Sequence, residues 1–195
     1  MNKKLETSFY TMCEKYNTML KDFYPARGST GFTESNQVHI FVNSLTKTLD
    51  DDLVIEWLEF PWIDKKQHID AIVYSPKDAT IFYIEAKRFT MKSKVQSISR
   101  DISRIINPKP FLNRDFIKEH NIQNIQNEYI IALSDVWLET KWKKSIPSWW
   151  MSDDTDSFKN FLKQDYDIDW SEAKQYCEEL QSILNYCLLM SCKKI

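Results

Sequence analysis

Thr80-Ile81-Phe82-Tyr83-Ile84-Glu85-Ala86-Lys87 is the stretch on which the fold turns. Its β-branched and aromatic residues make it a strand, and side chains alternate between the faces of a strand. Phe82, Ile84 and Ala86 then fall on one face, while Glu85 and Lys87 share the other. At a rise of ~3.3 Å per residue, the Cα atoms of that pair lie about 6–7 Å apart. Just upstream, residues 67–75 form a second strand ending at Pro76, and it carries the run Ile69-Asp70-Ala71-Ile72-Val73-Tyr74. A carboxylate inside such a run costs free energy unless something compensates it.

Outward from this pair of strands, the remaining elements follow from periodicity. Residues 53–60 mix β-branched and aromatic residues up to Pro61, giving a third strand, and the short connections predict an antiparallel meander. Upstream, Leu5, Phe9, Met12, Tyr16, Met19 and Phe23 recur at steps of three and four, the pattern of an amphipathic helix over residues 3–23. A turn-rich loop over 25–31 follows. Thr33 offers an N-cap oxygen to a helix over about 34–48 that buries Val38, Phe41, Val42 and Leu45. Downstream, Val95, Ile98, Ile102, Ile105 and Ile106 place a helix over about 93–106, closed by Pro108. A short helix is expected over 111–119. Glu128-Tyr129-Ile130-Ile131-Ala132-Leu133 reads as a strand buried on both faces. Beyond it lie an aromatic loop with Trp137, Trp142, Trp149 and Trp150, and a helix over about 169–192. The expected architecture is a single α/β domain over residues 1–195. Its core is helix–strand–strand–strand–helix–strand over about 33–134, a mixed central sheet flanked by helices. An N-terminal helix and a C-terminal helical extension over about 137–195 are added to it.

If Asp70 and Glu85 converge, two carboxylates ~5 Å apart at an effective dielectric of ~20 repel by about 3 kcal/mol. A shared proton or a bound cation relieves that. Carboxylate oxygens, a backbone carbonyl such as that of Ala86, and water suit Mg²⁺ or Mn²⁺. Such an ion lowers the pKa of bound water, and a neighbouring Lys87 can orient or deprotonate the attacking water, or neutralise charge on a phosphoryl group. The plain alternative is that Asp70 and Lys87 pair across a sheet edge while Glu85 is solvated. Glu-x-Lys by itself carries little, because Glu139-Thr140-Lys141 and Glu172-Ala173-Lys174 repeat it.

Asp70 placed fifteen residues before Glu85-Ala86-Lys87, within that order of elements, resembles the PD-(D/E)xK nuclease superfamily, which has the restriction-endonuclease-like fold. The resemblance covers roughly residues 33–134. It implies a Mg²⁺-dependent (or Mn²⁺-dependent) endodeoxyribonuclease with Asp70 and Glu85 as metal-binding acids and Lys87 as the catalytic lysine. It also implies an acid at the start of the helix before the sheet, a place that Glu34 fits; favour from the helix dipole explains Glu34 equally well. Ile69 stands where the motif commonly has proline. On the following helix, Gln96 matches a glutamine some members carry, but Arg100 stands where those members have tyrosine.

Charge sets the partners to expect. A net charge of −2 over 195 residues argues against a protein that coats nucleic acid unaided. From Lys87 to Glu119, however, nine basic residues face three acids, with Arg88, Lys92, Lys94, Gln96 and Arg100 as candidate nucleic-acid contacts. Asp101 and Arg104 are spaced to pair with each other. The tryptophans can stack on unpaired bases or pack the C-terminal segment, and Trp149-Trp150 can sit at a subunit interface. DNA is the expected partner, with a homodimer or partner subunit as further options. The alternative function is a non-catalytic DNA- or protein-binding subunit of a larger defence, repair or mobile-element complex.

Several classes are excluded. With only Gly28 and Gly31, no Walker loop or dinucleotide fingerprint can form. The four cysteines lack C-x-x-C spacing and read as core residues, and the three histidines stand far apart in sequence, against a zinc site. No apolar run spans a bilayer and the polar N-terminal stretch is unlike a signal peptide, so a cytoplasmic protein is expected.

Overall fold

Thr33 caps the helix that leads into the sheet, its Oγ1 accepting from the Asn36 amide at 3.3 Å. That helix, α2 (Glu34–Leu49), ends where Asp50 adopts a left-handed conformation. Next in the chain, the Asp51 carboxylate accepts from Leu53 N, Ser75 Oγ and Lys77 N, tying the helix end to a β-hairpin. The computed structural model describes residues 1–23, 33–61, 67–106, 125–180 and 185–195. Within them, α1 (Asn2–Thr18), which runs on into a π-helical turn (Met19–Phe23), precedes α2. Then come β1 (Ile55–Pro61), β2 (His68–Ser75), β3 (Thr80–Arg88), α3 (Lys92–Ile106) and β4 (Asn127–Trp137). Two short helices, α4 (Lys141–Met151) and α5 (Phe158–Tyr166), lead to β5 (Lys174–Leu180) and β6 (Tyr186–Lys194).

The six strands form one mixed sheet in the order β1-β2-β3-β4-β6-β5. The meander β1-β2-β3 is antiparallel as expected, and β3 and β4 run parallel with α3 between them in sequence. Helices cover both faces. Leu5, Phe9 and Met12 of α1 and Val38, Phe41 and Leu45 of α2 pack with Phe82, Ile84 and Ile131. On the other face, Val95, Ile98 and Ile102 of α3, Ile146 and Trp150 of α4, and Phe158 and Leu162 of α5 pack with Tyr83, Ile130 and Leu189.

Two sequence expectations are corrected. The helix over 169–192 is instead β5 and β6, with β6 inserted between β4 and β5. Tyr186-Cys187-Leu188-Leu189-Met190-Ser191-Cys192 is buried throughout because it faces a core on each side of the sheet. An apolar run without gaps suits a helix or a doubly buried strand; Asn185, with φ +46°, breaks the chain just before it. The cysteines there lie on strands, where Cys187 and Cys192 are buried and Cys177 partly so. The aromatic loop is likewise mostly helix: Thr140 and Ser157 cap α4 and α5, and Trp142, Trp149 and Trp150 ride on α4 despite Pro147 inside it. The helix expected over 111–119, the loop over 25–31 and the basic residues Lys109, Arg114 and Lys118 lie outside the described residues. Among the described residues, no helix is long and apolar enough to cross a membrane.

Candidate functional site

The β2–β3 ladder stops at Ala71 opposite Ile84. Asp70 lies one step past that end, and its side chain replaces the missing strand partner: Oδ2 accepts from the Ala86 amide at 2.7 Å. The carboxylate is thereby fixed beside the end of β3, where the parallel pair β3–β4 opens at its carboxyl ends. Ligands commonly bind α/β sheets at that edge.

Glu85 and Lys87 point to the α3 side of the sheet, as alternation with Phe82, Ile84 and Ala86 in the opposite core requires. Lys87 Nζ donates to the Ala86 carbonyl at 2.9 Å. It also lies 3.2 Å from Asp101 Oδ2, 3.7 Å from Asp70 Oδ2 and 3.8 Å from Glu34 Oε2. Burial opposes its charge, yet Asp70, Asp101, Glu85 and Glu34 together outweigh that and push its pKa up. Lys87 is a held cation.

Glu85 is not solvated, contrary to the plain alternative. It is 1% exposed, and its Oε1 is buried with no hydrogen-bond partner among the described residues. Burial, then the charges of Asp70 and Asp101, push its carboxyl well above the usual range. An orphaned carboxylate oxygen facing like charges is a costly arrangement that a proton or a cation relieves. The carboxylate oxygens of Asp70 and Glu85 are the kind a divalent ion takes, while Glu34 meets this centre only through Lys87 and the Arg88 amide. The Ala86 carbonyl, expected as a ligand, is engaged by Lys87.

Glu34 reaches this centre from the far side of the sheet. Its Oε1 accepts from the Arg88 amide at 3.1 Å and stands 3.8 Å from Lys94 Nζ. The Arg88 side chain turns away to the buried Asp135, which the Tyr186 hydroxyl also reaches, so Arg88 ties β3 to β4 and β6 and is not a free phosphate contact. Of the other candidate contacts, Lys92, Gln96 and Arg100 are exposed on α3, and Arg100 approaches Ser97.

Three residues escaped the sequence reading. Asp101 does pair with Arg104, but it also brings a fourth carboxylate to Lys87. Its position three residues after Ile98, on the edge of the buried stripe of α3, was the available signal. Glu59 and His68 meet through the β1–β2 register: His68 Nε2 is 2.6 Å from Glu59 Oε2 and 3.9 Å from Asp70 Oδ1. One ligand atom from each of Glu59, His68 and Asp70 lies within 4.8 Å of the others. The histidine reading considered sequence distance alone and passed over this hairpin pairing.

No family model, curated protein or solved structure matches the chain. The functional reading therefore rests on these side chains.

Proposed function

We propose that the chain is a metal-dependent nuclease that hydrolyses phosphodiester bonds, with DNA as substrate and Mg²⁺ or Mn²⁺ as cofactor. The observation that carries this reading is the buried Glu85 with its unpartnered oxygen, set against Asp70 and beside a lysine that several carboxylates keep charged. The order α2-β1-β2-β3-α3-β4, with β3 parallel to β4, is the order the PD-(D/E)xK resemblance implies and supports it further. Asp70 and Glu85 would hold the ion. Bound there, a divalent ion supplies Lewis acidity and a bound water of lowered pKa.

The chain's own residues do the rest. The amide of Ala86 fixes Asp70 in place. Lys87, held charged, is suited to neutralise a phosphoryl oxygen rather than to serve as a base. Glu34 braces the chain at Arg88, and Asp101 restrains the Lys87 ammonium from the α3 side.

The test is cleavage of linear, circular and branched DNA in Mg²⁺, Mn²⁺ or EDTA. The wild-type chain cuts in Mg²⁺ or Mn²⁺ and not in EDTA, while Asp70→Asn and Lys87→Ala, still folded, do not cut. Equal cleavage by both variants, or none by the wild-type chain, rejects the proposal.

A further inference from the structure

A cavity of about 620 Å³ opens between α3, α4 and the chain that leads to α5. Its size lies within the range of small-molecule sites. Lys92 and Gln96 of α3, Trp142 and Trp149 of α4, and Asp154 and Asp156 contribute to its lining. The neighbouring Trp150 shows what a packing tryptophan looks like in this fold. It is fully buried, stacked on Phe158 at 4.1 Å between ring centroids, and its indole N–H donates to the Met190 carbonyl. Trp142 and Trp149 pack against the same core, Trp149 edge-on to Phe158 and Phe161, but both are only partly buried and both also line the cavity.

We propose that this cavity binds an unpaired nucleotide. Indole surface stacks on any base. The carboxylates of Asp154 and Asp156 can only accept hydrogen bonds, which suits the exocyclic amino groups of adenine, cytosine and guanine. Gln96 both donates and accepts at a base edge, and Lys92 supplies the cation for the phosphate. Aromatic walls, acceptors and one cation on a single rim match a nucleotide better than a purely apolar or purely anionic ligand.

The position extends the nuclease reading and rests on it for the source of the nucleotide. Lys94 of α3 stands against Glu34 at the carboxylate centre, whereas Lys92 and Gln96, two residues to either side, line the cavity. The two sites are therefore separated by about the width of a helix, roughly 10 Å. A strand cut beside Lys87 would place an unpaired neighbouring nucleotide here. The substrate class that follows is single-stranded or frayed DNA.

The experiment is tryptophan fluorescence and calorimetric titration with dAMP, dCMP and dTMP in EDTA, so that no metal takes part. Saturable binding is expected, with dAMP and dCMP several-fold tighter than dTMP. A variant combining Lys92→Ala, Asp154→Asn and Asp156→Asn changes only exposed side chains and keeps the fold; it should bind about tenfold more weakly. Trp142→Ala should lose both the binding and most of the quenching. Non-saturating quenching with no binding heat, or unchanged affinity in the rim variant, overturns the proposal. DNA cleavage by the same proteins separates the two claims: cleavage without nucleotide binding removes the cavity assignment alone. Nucleotide binding without cleavage removes the nuclease reading alone.

Discussion

Glu85 sets the energetics of the centre at the residue scale. Its carboxyl is buried beside Asp70 and Asp101, so the metal-free chain keeps it protonated far longer than an unfolded chain would. Below the unfolded carboxyl pKa of ~4.3 both states hold the proton and the group costs nothing. As pH rises towards the elevated folded value, only the unfolded chain releases its proton, so stability falls. Glu85→Gln should therefore stabilise EDTA-treated protein at pH 7, and by less near pH 4. Thermal melts at the two pH values check this; a lower melting temperature for the variant at pH 7 contradicts it. Asp70, Glu85 and Lys87 were legible in sequence because strand alternation and a short hairpin need only local information. Asp101, Glu59 and His68 were not, since helix docking in one case and strand register in the other bring them in.

Elements explain how the end of β3 is held. Arg88 reaches Asp135 on β4 at 2.8 Å, the Tyr186 hydroxyl of β6 meets the same carboxylate, and Ser134 Oγ donates to the Lys87 carbonyl. Burial raises the Asp135 carboxyl while Arg88 pulls it back, so the pair persists only as a unit. Asp135→Ala leaves the partly buried Arg88 without its counter-charge and should cost up to about 3 kcal/mol, read as a drop in the urea midpoint. A midpoint unchanged from wild type would show that the network does not support the sheet. The partners of Arg88 were hidden from the sequence because β6 reads as a helix. Its continuous apolar run fits either form, and the register that makes it a strand comes from β4, some fifty residues earlier.

For the molecule as a whole, β6 lies inside the sheet and β5 forms its outer edge. A chain truncated before β5 would expose the β4 edge and the apolar faces that Leu188, Leu189 and Met190 cover. Such a chain should fail to give a cooperative melt, whereas a folded and stable product would mean that the core over 33–134 does not need the terminal hairpin. The helix–strand order of that stretch could be read from periodicity. The last third could not, because Pro147 and the aromatic residues mask two short helices and the terminal hairpin depends on long-range pairing.

Whether four acids around Lys87 hold a divalent ion is decided most directly by Mn²⁺ electron paramagnetic resonance. Titrating Mn²⁺ into wild-type protein should abolish the free-ion signal up to a stoichiometric end point, and both Asp70→Asn and Glu85→Gln should restore it. A free-ion signal that grows from the first addition of Mn²⁺, or one equally suppressed by the two variants, would contradict a metal centre at this place.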